Sequence, residues 1–241
     1  MRLDIFCTMH QGGRSHMEDN FFLVRRGVSD YFGGVFDGHR GREASKIAAE
    51  KMPGVFFGNI KKRLSPVRSL IKSFTDISDM VKNEMIGCTA VVFFKKGKEI
   101  WVANAGDGRM VEVRKNGVVQ ITRDHRLKNE KEKARILKSG GLIHPPYVFR
   151  GEYGLMPTRS LGDKYFRPVG IISRPEIFRR KINGVGYVLA TDGLWDNLHN
   201  EMIAEIIKGT ETTQQAAELM INRHLTFSNT DNVAIIVIRP L

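Results

Sequence analysis

Acidic residues recur in this sequence where apolar runs end. VFDGHRG places Asp37 and His39 directly behind Val35-Phe36, and ANAGDGR places Asp107 behind IWVANA. LATDGLWD delivers Asp192 behind YVLA, with Asp196 four residues on, and NTDNVAIIVI sets Asp231 and Asn232 at the head of an apolar run. Ahead of NFFLV, the segment GGRSHMEDN groups Arg14, Glu18 and Asp19. Each has a structural explanation, because Asp-Gly and Asp-Asn pairs shape turns and Asp196 can cap a short helix. Repetition favours chemistry: three of the segments read Asp-Gly behind an apolar run.

Carboxylates that converge repel one another, and their desolvated anions are costly unless paired or bound to metal. Cys7 and Cys88 are the only cysteines, with no CxxC or Cys/His cluster, so neither a disulfide framework nor a thiolate zinc site is expected. Oxygen-only ligands suit Mg²⁺ or Mn²⁺. Two such ions about 3.5–4 Å apart can share a carboxylate and activate water between them. Arg14 lies among the acids rather than in a generic basic run, and a guanidinium grips a phosphate dianion through its fork. His39, next to a metal-type acid, could protonate a leaving oxygen.

Positioning such groups requires strands whose ends share one edge. Period-two or β-branched runs fall at 20–24, 89–94, 100–105, 110–113, 117–122, 187–191 and 232–238, several joined by hairpin signals such as KKGKE and RKNGV. Helical spacing appears at 42–52 and over 66–85, where Val67, Leu70, Ile71, Phe74, Ile77, Val81 and Met85 recur behind Ser65-Pro66. NEMIAEIIKG and TTQQAAELMINRHL read as helices, the second with Thr212 and Gln215 at capping-box spacing. Strands and helices come in blocks, the mark of α+β layers with antiparallel sheets.

At 241 residues, 41% hydrophobic and 27% charged, the chain has the composition of one soluble domain spanning 1–241. The apolar runs are too short to span a bilayer, and MRLDIFCTMHQ lacks the apolar core of a secretory signal, so no membrane partner and a cytoplasmic location are expected. The net charge of +12 is dispersed, without aromatic interleaving. Nucleic acid is therefore disfavoured as the main partner, while a phosphorylated substrate suits the same charge.

The order of these segments, with GCTA, ITRDH, LKSGG and PTRSLGD between them, resembles the metal-dependent protein serine/threonine phosphatase family, protein phosphatase 2C. The resemblance runs nearly end to end. It implies a four-layer αββα sandwich, two antiparallel sheets flanked by helices, acting as a monomer on phosphoserine and phosphothreonine proteins. It implies two Mn²⁺ or Mg²⁺ ions, with Asp37 shared between them and the Gly38 carbonyl on one. Asp192 and Asp231 serve the other, and Glu18 acts through water. Asp19 and Asn232 stand behind these ligands, and Asp107 and Asp196 match a third, weaker metal position shared with Asp192. Arg14 corresponds to the phosphate-binding arginine and His39 to the general acid, in a hydrolysis by activated water without a phosphoenzyme.

The chain departs from the family pattern at Arg40, where DGHGG is usual, which implies either backbone strain or a side chain that lies beside the cleft and contacts substrate. Cys88 in GCTA reads as a small buried residue. Arg159 and Asp163 of PTRSLGD read as internal pairing groups, and Trp195 as a packing residue that fixes the Asp192 loop. His10, His16 and His125 read as structural or solvated. The alternative function is a catalytically inactive family member that binds a partner through the same surface.

Overall fold

The computed structural model describes every residue except Met1, Val28 and Asn229. One five-stranded antiparallel sheet has the order β1 (Leu3–His10), β16 (Val233–Pro240), β15 (Gly186–Ala190), β8 (Arg109–Arg114) and β9 (Gly117–Gln120). The other has the order β14 (Glu176–Lys181), β7 (Glu99–Ala105), β6 (Ala90–Lys96), β3 (Asp30–Phe36) and β2 (Asn20–Arg26). The Asn-Gly signal becomes the tight turn between β8 and β9, where Gly117 takes a φ of 145° that a side chain would resist.

The two sheets face each other across Val35, Val91, Phe93, Val102, Met110, Leu189 and Ile236. Successive residues of a strand point to opposite faces, so Val91 and Phe93 enter this inter-sheet core while Val92 and Phe94 turn outward. There they meet α1 (Glu43–Lys61) and α2 (Pro66–Met80), whose Met52, Phe56, Leu70 and Phe74 are fully buried. Phe32 of β3 stacks on Phe56 of α1 at 4.2 Å between ring centroids. Each such side chain contributes roughly 1.5–3 kcal/mol of burial. On the opposite outer face, α5 (Asn200–Gly209) and α6 (Thr213–His224) bury Ile203, Ile207 and Met220 against Val188 and Ile235. Helix, sheet, sheet, helix is the αββα sandwich that the family resemblance implies, and it agrees with the α+β layers read from the residues.

Boundaries differ where local signals compete with packing. The first helix continues past Pro53 to Lys61 because Phe56 prolongs the buried stripe, and its buried Asn59 donates to Ser73 Oγ of α2. Ser65 caps α2 as expected, but that helix stops at Met80, with Val81 already extended. The Thr212–Gln215 capping box is present. Residues 130–155, for which no elements were expected, form α3 (Glu130–Lys138) and a three-stranded sheet of β10 (Leu142–His144), β11 (Tyr147–Arg150) and β12 (Tyr153–Leu155). Short pairings also link β4 (Gly38–His39), β5 (Gly87–Cys88) and β13 (Leu161–Gly162).

Strand register decides where the acids go. Asn20 opposite Phe36 and Ala90 opposite Ala105 align the end of β3 and the end of β7 at one pole. Ala190 lies opposite both Arg109 and Ile235, which brings the end of β15 and the start of β16 to that same pole. No helix among the described residues is long and apolar enough to cross a membrane.

Candidate active site

Asp37, Asp107 and Asp192 leave the ends of β3, β7 and β15 and present ligand atoms within 4.8 Å of one another. The Asp37 carbonyl accepts from Thr89 N at 2.9 Å, which holds the turn. Gly38 is required by close approach: a Cβ there would lie 2.6 Å from the Glu18 carbonyl and 2.9 Å from Ser45 Oγ. Asp192 begins α4 (Asp192–Trp195), and the Trp195 indole fastens that turn by donating to the Ala190 carbonyl at 2.9 Å. Burial, followed by mutual repulsion with Asp192, Asp19 and Asp107, pushes the Asp37 carboxyl well above its usual range. Burial and the Asp107 and Asp196 charges do the same to Asp192.

A divalent cation would relieve this mutual repulsion. Among the described residues Asp107 Oδ1 is buried without a hydrogen-bond partner, and the ligand atoms that Asp37, Asp107 and Asp192 bring together are carboxylate oxygens. The residues present fit Mg²⁺ or Mn²⁺.

The loop 11–19 is stitched onto the start of β16. Asn232 Oδ1 accepts from Glu18 N at 2.7 Å, while its Nδ2 donates to the Gln11 and His16 carbonyls at 2.7 and 3.0 Å. Asp19 is buried and accepts from the Thr191 hydroxyl at 2.7 Å. Burial, opposed by that hydrogen bond, raises its pKa to about 7. Glu18 Oε1 accepts from Gly41 N at 2.6 Å, and Arg14 Nη2 donates to Asp231 Oδ2 at 2.6 Å. Arg14 retains 64% of its side-chain exposure and, among the described residues, makes that single ion pair. Asp231 thus turns toward Arg14, while Asp107 joins Asp37 and Asp192.

His39 Nε2 donates to Asp163 Oδ2 at 2.8 Å. Burial opposes the imidazolium, but the Asp163 carboxylate dominates and raises the His39 pKa. Asp163 is itself fully buried, in left-handed backbone, with its N–H donating to the Ile86 carbonyl at 2.8 Å. Arg40 has φ 58°, a strained conformation for a residue with a Cβ that costs roughly 1–2 kcal/mol. Its side chain donates to the Gly154 carbonyl at 2.8 Å and the Met85 carbonyl at 3.2 Å, over the Phe166 ring. It therefore ties β12 to the histidine turn, with the strained backbone and the place beside the cleft occurring together. The cleft has a volume of about 420 Å³ and is lined by Arg14, Asp37, His39, Asp192, Tyr147 and Pro157, among others.

Sequence reasoning missed Arg126. Its Nε donates to Asp107 Oδ2 at 2.7 Å, Nη2 to Asp192 Oδ2 at 2.8 Å and Nη1 to Asp196 Oδ1 at 2.9 Å. Its position directly after the ITRDH segment was the available signal. The remaining groups behave as internal partners. His125 Nδ1 accepts from Gly106 N at 3.1 Å, and Arg159 forks onto Glu132 at 2.6 and 3.0 Å. Cys88 is buried, and burial pushes its thiol well above the usual range.

The model of the family described as protein phosphatase 2C matches residues 3–233. A protein kinase and PP2C-like domain-containing protein of Oryza sativa subsp. japonica is 30% identical over 95% of this chain, which spans 38% of that protein. Protein phosphatase 2C homolog 1 of Saccharomyces cerevisiae is 30% identical, over 93% of this chain and 88% of its own length. The crystal structure of a serine-threonine phosphatase 2C from Toxoplasma gondii superposes with a TM-score of 0.85 at 20% identity, covering 98% of this chain and 94% of the other. With aspartates gathered at one pole of an αββα sandwich and the family model matched from one end of that sandwich to the other, the chain belongs to the protein phosphatase 2C family.

Proposed function

We propose that this chain is a protein serine/threonine phosphatase that hydrolyses phosphoserine and phosphothreonine with the help of two Mn²⁺ or Mg²⁺ ions. The observation that supports it most is the Asp37, Asp107 and Asp192 cluster in a cleft that also holds Arg14 and His39. Asp37, the Gly38 carbonyl, Asp192 and Asp231 would hold the ions, with Glu18 reaching them through water. When bound, the ions supply an activated water and stabilise negative charge on the phosphoryl oxygens.

The chain's own groups do the rest. Arg14, exposed and held by one carboxylate, can turn its guanidinium onto the phosphate dianion and orient it. His39 is held through Nε2 by Asp163, which favours its protonated form and leaves Nδ1 to give a proton to the departing serine or threonine oxygen. Asn232 and Asp19 keep the loop that carries Arg14 and Glu18 seated against β15 and β16.

The test is phosphate release from a phosphothreonine peptide with added Mn²⁺ or Mg²⁺, repeated with chelator. Release that requires the metal is expected. A folded sample that releases nothing with any metal would overturn the reading and leave a partner-binding family member.

A further inference from the structure

The Asp107, Asp192 and Asp196 side chains, which the family resemblance assigns to a third metal, surround a guanidinium in this chain. We propose that Arg126 is a permanent cation at that outer position, so that no metal ion binds there.

The geometry is that of a complete fork. Nε, Nη1 and Nη2 each reach a different aspartate at 2.7–2.9 Å, and Nη2 reaches Asp196 again at 3.2 Å. A guanidinium matches such an array of oxygens because its donors are fixed in one plane. The backbone behind it is equally constrained. His125 N donates to the Gly106 carbonyl at 2.9 Å, Thr158 N donates to the His125 carbonyl at 2.8 Å, and Asn129 N donates to the Arg126 carbonyl at 2.9 Å. The side chain is only 25% exposed. Burial works against its charge, yet Asp107, Asp196 and Asp192 more than offset that and raise its pKa.

A divalent ion coordinated by the same oxygens, at about 2.1 Å for Mg²⁺, would occupy the space the guanidinium fills. Ejecting the arginine would break several partly desolvated ion pairs at once, and leaving it in place would set two cations side by side. Asp107 divides its oxygens accordingly: Oδ2 takes Arg126, while buried Oδ1 has no hydrogen-bond partner and stays available to the inner cluster. Arg126 is thus a positioning residue for Asp192 and Asp107.

The assignment rests on the two-ion reading above, and the test separates them. Mn²⁺ bound per chain is counted by equilibrium dialysis on the whole protein. Asp196→Asn in the presence of Arg126 is expected to leave the wild-type count unchanged. Arg126→Gln is expected to gain one Mn²⁺ per chain, and the Arg126→Gln/Asp196→Asn double variant to lose that gain. A wild-type ion that disappears in Asp196→Asn would overturn the assignment, even if Arg126→Gln fails to fold. No gain in folded Arg126→Gln would overturn it as well. The two-ion reading stands or falls separately, on whether Asp37→Asn loses bound Mn²⁺.

Discussion

Two arginines meet metal-type aspartates in this molecule, and they do so in opposite ways. Arg14 makes one ion pair, with Asp231, from a side chain that is 64% exposed on a loop. Arg126 engages three aspartates from a backbone clamped on both sides, with 25% exposure. An exposed single pair contributes about 0–1 kcal/mol, so Arg14 can leave Asp231 for a phosphate at little cost. A fully forked guanidinium among partly buried carboxylates has no such freedom. The number of simultaneous partners and their desolvation distinguish a movable reagent from a fixed charge.

The largest expected effect lies between the two arginines. Asp192→Asn removes the carboxylate that faces both the inner cluster and Arg126, and turnover should fall on the order of 10³-fold or more while the circular dichroism spectrum persists. Near-wild-type rates would show that Asp192 serves only the arginine. His39→Ala should slow phosphopeptide hydrolysis by about 10²-fold and an aryl phosphate far less, because a good leaving group needs no proton; equal losses would refute the proton-donor role. Arg14→Ala should cost roughly 10- to 100-fold in kcat/KM, mostly through KM, with the Mn²⁺ count intact. A changed ion count there would mean that Arg14 is fixed in the way Arg126 is.

The smallest effect concerns pH in the metal-free protein. Burial holds Asp19 at about 7 against an ordinary 3.8. Between those values the folded chain binds a proton that the unfolded chain releases. The stability from this group is therefore full below 3.8 and is lost as pH rises toward 7. With chelator, Tm should drop by a few degrees between pH 5.5 and 7.5, and saturating Mn²⁺ should flatten the trend by favouring the anions. A chelated Tm that rises over this range would contradict the assignment.

How far each region was legible in the sequence follows the same contrast. Arg14 stands among Glu18, Asp19 and the glycines of GGRSHMEDN, so local composition marks it. Arg126 directly follows the ITRDH segment, but its partners lie 19, 66 and 70 positions away, so nothing beside it in the chain names them. Asp163 was expected to pair internally, but nothing local indicated that its partner would be His39, 124 positions earlier. The elements between residues 130 and 155 escaped for another reason. In α3, EKEKARILK buries only Glu132 and Ile136, and Leu142, Tyr147 and Tyr153 of the short strands lie exposed, so no hydrophobic period is long enough to read.

What the sequence by itself determined is the set of strands and helices with strong periodicity, the Ser65 and Thr212 caps, and the acids that end the strands. These rest on contacts between near neighbours in the chain. Tertiary structure alone decided which carboxylates share a cleft, that Arg40 would bind Gly154 and Met85 from a strained backbone, and that Arg126 would fill the space between Asp107, Asp192 and Asp196. Coulomb attraction and desolvation depend on distance in space, and strand register sets that distance only after both sheets have closed.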